Sequence, residues 1–398
     1  MIAVLLVVLV GIAVATGGDD GGATVPPAAA VDVIARRVEG LRDLRFKAIP
    51  KPLEVDPAQA RREGLADLDR SYPPKRRQAD EEIYGLLGLI KPGADLRELT
   101  GSLFEQGVAG YYDPRDGRLR VVTGAGTSTR VLKEMVLAHE LTHALEDQRF
   151  GIDVDSAGND DRALAAAGLR EGTATALMYQ YVQRSFSAEE TLGGLLGAAF
   201  QDAGDLPPFL EAQVVFPYVG GDAFVEDLLR RAGGRWTLVN TAYELRPPSS
   251  TEQILHPAAY FDADEPQAVP IRAGALLGPG WTRIAAGTWG ELQTRELLAQ
   301  AGGGAREASE GWGGDRYELW RSRPLGHDCP APCTDADVLI MRWRWDTARD
   351  EGEFAKRLEG FVTSELGDRS VATVRRGGAV TLVLAPSSEL AARLAAGA

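Results

Sequence analysis

Cysteine, histidine and positive charge are all scarce in this sequence. Two cysteines in 398 residues are too few for a scaffold built on disulfides or for a cysteine-rich metal site. The net charge is −14, and no run of lysine and arginine interrupts it. This balance argues against nucleic acid as a partner, because such binding begins with attraction to phosphates. Only four histidines occur, so a recognisable spacing between two of them is informative.

The chain also lacks an apolar run long enough to span a bilayer, which takes roughly 20 residues. Residues 2–14 are almost wholly apolar, but they fit the shorter core of a secretory signal. Ala-Val-Ala at 13–15 has the form of a cleavage site, although no basic residue precedes the segment. We therefore predict a signal peptide or a membrane anchor at 1–16, with a buried N-terminal strand as the alternative. The protein is then extracytoplasmic, either secreted or tethered to the membrane.

The two cysteines lie close together, at Cys329 and Cys333. Outside the cytoplasm, a disulfide closing this short loop is the expected state. A redox or metal-binding role is the alternative, with His327 as the nearest other ligand.

Length and composition predict a soluble α+β protein. Apolar residues make up 44% of the chain and charged residues 25%, and 398 residues suggest two or three globular units. A linker rich in glycine, aspartate, alanine and proline is predicted at 17–30, before a helical region at 31–108. Residues 109–270 read as a strand–turn–strand segment followed by long helices. Residues 271–398 form a C-terminal α+β accessory domain, with strands predicted at 313–322, 338–345, 370–375 and 379–384.

The most informative pattern is His139-Glu140-Leu141-Thr142-His143. On a helix, residues four apart share a face, so both imidazoles can bind one metal ion. Glu140 lies one step around the helix, where its carboxylate can contact a water on the metal rather than the metal itself. The pattern predicts one zinc ion.

A catalytic zinc usually has three protein ligands, and Glu171 is predicted to be the third. It lies on the next predicted helix, which extends from about residue 161 to 186. Small residues flank it on the same helical face, so the two helices can approach closely. The alternative for Glu171 is a solvated carboxylate on a helix surface. The small residues on this face are Ala167, Gly168, Ala174 and Thr175.

The histidine pair followed by Glu171 resembles the gluzincin class of zinc metallopeptidases, of which thermolysin is the familiar member. The specific match covers about residues 130–180. Asp147 matches an acidic position of that class, which implies that it orients a side chain that binds the metal, with a backbone carbonyl as the alternative. Thr175 departs from the pattern, because thermolysin-like enzymes have an acidic residue there. More loosely, the chain is similar to uncharacterised bacterial envelope proteins regarded as zinc peptidases.

The resemblance implies a zincin-like catalytic region at 109–270 that hydrolyses peptide bonds in a peptide or protein substrate. Glu140 would act as general base on a zinc-activated water, and a tyrosine or histidine would stabilise the oxyanion. His256 is the preferred oxyanion donor. A helix-end or core histidine is the alternative for it, and the other candidates are Tyr218, Tyr243 and Tyr260.

Two further features have open interpretations. Residues 118–122 are predicted to be an edge strand that pairs with an extended substrate, or else an ordinary hairpin strand. A cluster of aspartates follows the histidine helix, and we interpret it as a solvated acidic loop rather than a calcium site, because its spacing fits no calcium motif. The cluster consists of Asp153, Asp155, Asp160 and Asp161.

Two other functions remain open on sequence grounds. One is a non-catalytic envelope module that a metal ion stabilises. The other is a zinc hydrolase acting on a bond other than a peptide bond, because the groups that activate water are shared between such enzymes.

Overall fold

A computed structural model describes the chain from residue 28 to residue 397 with several gaps. It has helices and two β-sheets, which confirms the predicted α+β class. The predicted signal or anchor and most of the predicted linker lie outside the described residues. Among the helices that are described, none combines the length and the apolarity needed to cross a membrane. The described residues are 28–106, 110–123, 130–151, 159–187, 190, 206–325, 329–367 and 369–397.

The N-terminal helices form where the sequence signals placed them. Asp56 caps the second helix, since its carboxylate accepts a 2.6 Å hydrogen bond from the backbone N–H of Gln59, and Pro57 follows at the first helical position. The first helix begins three residues inside the predicted linker. The helices are α1 (Ala28–Arg42), α2 (Pro57–Ser71), α3 (Pro74–Leu86) and α4 (Leu96–Gln106).

A three-stranded sheet follows, formed by β1 (Pro52–Val55), β2 (Gly110–Asp113) and β3 (Arg118–Val122). The strand order is β1-β3-β2, with β1 parallel and β2 antiparallel to β3. The prediction that residues 118–122 form an edge strand is therefore wrong. The cause is β1, a strand of four residues that local sequence patterns do not reveal and that covers the outer side of β3.

The middle of the chain consists of packed helices. Gly172 and Gly221 let two of them, α6 and α7, touch backbone to backbone, because a Cβ on Gly172 would lie 2.2 Å from the carbonyl carbon of Gly221. Gly168 and Gly172 thus serve this contact, and the same helix also packs against the histidine helix, as the sequence predicted. The helices are α5 (Arg130–Phe150), α6 (Asp160–Ser185), α7 (Pro208–Arg231), α8 (Thr237–Glu244), α9 (Thr251–Leu255) and α10 (Pro257–Asp262).

The C-terminal part is an antiparallel five-stranded sheet with helices, as predicted, in the order β4-β5-β6-β8-β7. The first strand was not predicted. The strands are β4 (Trp281–Gly287), β5 (Trp312–Ser322), β6 (Asp337–Trp345), β7 (Val371–Arg376) and β8 (Ala379–Leu384). The helices are α11 (Ala273–Leu277), α12 (Gly290–Ala299), α13 (Ala305–Ser309), α14 (Ala348–Phe361) with a π-helical extension (Val362–Leu366), and α15 (Ser388–Gly397).

Two large hydrophobic cores organise these elements. The first joins α2 and α3 to the five-stranded sheet, where Tyr84, Phe209 and Trp289 pack with ring centroids 5.1–6.3 Å apart. The second contains α1 together with α5, α6 and α7. The helices at 28–106 are thus divided between two cores, so the predicted region at 31–108 does not have a core of its own.

The predicted disulfide is confirmed. Cys329 and Cys333 are bonded, with their Cα atoms 5.4 Å apart. The backbone N–H of Cys333 donates a hydrogen bond to the Glu82 carboxylate, which also pairs with Arg321 at 2.9 Å. The disulfide loop is therefore fastened to α3. His327 lies outside the described residues.

Candidate metal centre

The structure brings together the three side chains that the sequence proposed as ligands. His139 and His143 lie one turn apart on α5, and Glu171 projects from α6 beside them. All three are 0–1% exposed. Both helices continue well beyond these positions, so the side chains extend from rigid backbone rather than from loops.

The three ligand atoms form a nearly equilateral triangle. His139 Nε2 lies 3.0 Å from His143 Nε2, and each nitrogen lies 3.2 Å from Glu171 Oε2. Ligands at about 2.0–2.1 Å from a tetrahedral zinc ion are separated by roughly 3.3 Å. The triangle therefore has the size that one zinc ion requires.

The donor atoms also have the chemistry that zinc binds. Hydrogen bonding cannot satisfy all three pairs at once, because the two Nε2 atoms, 3.0 Å apart, cannot share a proton while both imidazoles donate to Glu171 Oε2. A cation at the centre of the triangle resolves this. The Nδ1 atoms of both imidazoles are buried without a hydrogen-bond partner among the described residues.

Asp147 does not accept a hydrogen bond from either imidazole in the described structure. Its Oδ2 instead accepts one from the Tyr112 hydroxyl at 2.8 Å. The position expected to support a ligand therefore holds the β2 strand against α5. Apart from the two imidazoles, Arg170 also contacts the Glu171 carboxylate, with its Nε 3.4 Å from Oε1.

Charge within the cluster sets the pKa of each group. Burial lowers the pKa of His139 to about 4, against the pull of Glu171. Burial also lowers the pKa of His143, but Glu171 outweighs it and the net pKa is raised. Burial alone would raise the pKa of Glu171. The charge of His143 and hydrogen bonds with both imidazoles outweigh this effect and bring the pKa well below the usual range. The carboxylate is thus held in its ionised, metal-binding form.

Glu140 is buried next to this cluster. Its Oε2 accepts a 2.9 Å hydrogen bond from the backbone N–H of Tyr112. Burial raises the pKa of Glu140 to about 8, with Glu171 acting in the same direction and His143 and the Tyr112 amide opposing. Sequence reasoning missed Tyr112, although its strand precedes the histidine helix. Through its amide and its hydroxyl, Tyr112 contacts α5 two turns apart.

The candidate oxyanion donors lie in different surroundings. Tyr218 on α7 stacks on the His139 ring, with centroids 6.2 Å apart and planes inclined by 28°. The Tyr243 hydroxyl donates to Glu146, and the Tyr260 hydroxyl donates to the Arg246 carbonyl.

His256 lies between α9 and α10 and pairs through Nε2 with Glu291 at 2.8 Å. This is the helix-end position that the sequence left open as the alternative. The candidate donor that contacts His139 is thus Tyr218, which the sequence ranked below His256.

The acidic segment after α5 is only partly described, since Asp153 and Asp155 lie outside the described residues. Asp160 and Asp161 are buried in the first turn of α6, so the prediction of a solvated loop is wrong for these two. Asp160 pairs with Arg76, and Asp161 accepts two hydrogen bonds from Thr251. Both stabilise the start of the helix that carries Glu171.

Comparison with known families adds one finding. Residues 279–395 match the model of a family described as a domain of unknown function, DUF8575. The match lies within the C-terminal unit predicted at 271–398 and does not include the histidine cluster. No curated protein and no solved structure matches the chain.

Proposed function

We propose that this protein is a zinc-dependent metallopeptidase. The observation that supports the proposal most strongly is the buried triangle of His139, His143 and Glu171, with ligand atoms 3.0–3.2 Å apart. Within the described residues the cluster offers three ligand atoms, which is the number found in catalytic zinc sites. A structural site typically has four, so the ligand count favours catalysis over a non-catalytic module.

The chain's own residues have separable roles in this proposal. His139 and His143 bind through Nε2, and Glu171 binds through Oε2 while Arg170 holds its other oxygen. Zinc bound there would polarise the scissile carbonyl and make water a stronger nucleophile at neutral pH. The pairing of Glu171 with Arg170 favours binding through a single oxygen, which keeps one coordination position available.

Glu140 is the proposed general base. Its carboxylate lies beside the ligand triangle without being part of it, and the Tyr112 amide fixes one of its oxygens. The other oxygen is then oriented to accept a proton from the attacking water and to deliver it to the leaving amine.

Tyr218 is the proposed donor to the developing oxyanion. Its ring stacks on the ring of His139, whereas the ring of His256 contacts Glu291, which is not one of the three proposed zinc ligands. Proximity to a ligand is the first requirement for such a donor, because the oxyanion forms at the metal. We therefore place Tyr218 ahead of His256.

The proposed location is extracytoplasmic, with the N-terminal apolar segment as a signal or a membrane anchor. The Cys329–Cys333 disulfide supports this location, since disulfides persist in oxidising compartments.

The variant Glu140→Gln tests the mechanism. Purified full-length protein should contain one zinc per chain by elemental analysis and should cleave a fluorogenic peptide library. Glu140→Gln should lose about 10²–10⁴-fold in kcat/KM while retaining its zinc, because general-base catalysis contributes on this order. A glutamine can still accept the Tyr112 hydrogen bond, so the fold should persist.

Glu134→Gln is the matched control, because it makes the same change on α5 at a residue that pairs with Tyr181 away from the cluster. It should keep both zinc and activity. Peptide cleavage by Glu140→Gln at the wild-type rate would refute the mechanism. A zinc-loaded wild type that cleaves esters or amides but no peptide would favour the non-peptide hydrolase.

A further inference from the structure

A second acidic cluster lies away from the histidines. One carboxylate oxygen from each of Glu252, Asp264 and Asp346 lies within 4.8 Å of the other two. Glu252 belongs to α9, Asp264 follows α10, and Asp346 comes directly after β6. The cluster therefore joins the helical part of the chain to the end of a central strand in the C-terminal sheet.

No positive side chain compensates this cluster. Among the described residues, none of the three carboxylates forms an ion pair or accepts a side-chain hydrogen bond. Asp264 and Asp346 are exposed, but Glu252 is only 5% exposed and its carboxylate is directed at the other two. A carboxylate with so little exposure and no partner is unfavourable in its charged form, so either a proton or a bound cation must offset that charge.

Glu291 is a further buried carboxylate whose charge acts on Glu252. Its Oε1 pairs with His256, whereas its Oε2 is buried without any hydrogen-bond partner in the described part of the chain. Its negative charge acts on Glu252 in addition to the charges of Asp264 and Asp346. Because His256 pairs with only one of its oxygens, Glu291 adds to the negative charge at Glu252 instead of relieving it.

We propose that Glu252, Asp264 and Asp346 together bind one calcium ion. The cluster offers oxygen ligands only, which are the ligands that calcium prefers. Calcium–oxygen distances of about 2.3–2.6 Å allow two ligand atoms of one ion to lie up to roughly 4.6–5.2 Å apart, and the three oxygens lie within 4.8 Å of one another. Water completes the coordination on the exposed side of Asp264 and Asp346.

The surrounding contacts show what the ion would hold together. The backbone N–H of Gln267 donates to the Gly313 carbonyl at 2.8 Å, so the segment after Asp264 already lies along the start of β5. On the other side, Ile254 of α9 packs against Gly168, three residues before Glu171. Calcium at this position would link the C-terminal sheet to the helix that carries the proposed zinc ligand.

The test is calcium binding by the full-length, zinc-loaded protein. Isothermal titration with CaCl₂ should give one site in the wild type and none in Asp346→Asn. At a calcium concentration about tenfold above Kd, the melting temperature of the wild type should rise by roughly 2–3 °C. Without calcium, Asp346→Asn should melt higher than the wild type, because the substitution relieves repulsion.

Glu359→Gln is the matched control, since it removes an exposed carboxylate on α14 away from the cluster. It should respond to calcium as the wild type does. An equal calcium response in Asp346→Asn would overturn the proposal. So would a wild-type response to CaCl₂ no larger than that to MgCl₂ at the same ionic strength. None of these readouts requires peptide hydrolysis, so the result is independent of the proposed catalytic function.

Discussion

Glu171 and Glu252 are both buried glutamates, yet their surroundings shift the pKa values of their carboxyl groups in opposite directions. Burial raises the pKa of each. At Glu171 this effect is outweighed by the two imidazoles and Arg170, and the net pKa falls. At Glu252 burial is reinforced by Glu291 and the two aspartates, and the pKa rises to about 9.

The difference shows that the atoms facing a buried carboxylate, rather than its burial, decide what it can bind. Two nitrogens and one oxygen on long helices make a small, rigid triangle that suits zinc. Three carboxylate oxygens, two of them on exposed aspartates, make a cluster of oxygen atoms alone, which are the ligands that calcium prefers.

The largest effect is expected from removing the carboxylate of Glu171, whose negative charge is offset by the two imidazoles and Arg170. Glu171→Gln should reduce zinc affinity at least about 10²-fold and peptide hydrolysis by about 10³-fold or more, because two imidazoles alone do not complete the site. Competition with a chelator measures the affinity, and peptide hydrolysis is measured in parallel. Glu134→Gln again provides the control. Retention of tight zinc binding by Glu171→Gln would remove Glu171 from the ligand set.

A smaller effect is expected at Tyr218, whose ring stacks on His139 in the same cluster. Tyr218→Phe keeps the ring on His139 but removes the hydroxyl, so kcat should fall by about 10²-fold with KM and zinc content unchanged. His256→Ala is the informative partner, because it deletes the other candidate donor. A large loss of kcat in His256→Ala, with none in Tyr218→Phe, would restore His256 to the role that the sequence first gave it.

The smallest effect is expected at Asp222 on α7. Like Glu252, Asp222 has a carboxyl group whose pKa is raised, so it extends the comparison to a second carboxyl of that kind. Burial and the charge of Glu226 raise its pKa to about 6, and its Oδ1 has no hydrogen-bond partner among the described residues. A pKa raised on folding contributes stability that is complete below pH 3.8 and is lost as pH rises through about 6.

Asp222→Asn should therefore increase the free energy of unfolding at pH 7 by about 1 kcal/mol, because solvent around this partly exposed side chain screens the full shift of about 3 kcal/mol, and should change it little at pH 4. Guanidinium denaturation at both pH values measures this difference. Glu211→Gln, an exposed position on the same helix, should show no such dependence on pH. A stability gain in Asp222→Asn that is equal at both pH values would show that the carboxyl does not titrate as described.

Local sequence patterns were sufficient for much of this arrangement. Helical spacing placed both histidines on one face of α5, and the small residues around Glu171 correctly marked a helix in close contact with a neighbour. The predicted neighbour, α5, does pack against α6, but the glycines contact a second neighbour that sequence patterns do not identify. It is α7, which also carries Tyr218.

The remaining features depend on contacts between distant parts of the chain. β1 pairs with β3 across more than sixty residues, and the Tyr112 amide reaches Glu140 from a separate strand. A backbone N–H carries no sequence signal of its partner, so neither contact follows from periodicity. Likewise, the convergence of Glu252 with Asp346 depends on how the helices meet the sheet.

The backbone contact between α6 and α7 has a mechanical consequence. Because Gly172 and Gly221 touch without side chains between them, no flexible group can absorb a relative displacement of the two helices. Glu171 lies next to this contact on one helix, and Tyr218 lies one turn from it on the other. The proposed ligand and the proposed oxyanion donor are therefore expected to fluctuate in concert, as two points on one stiff body.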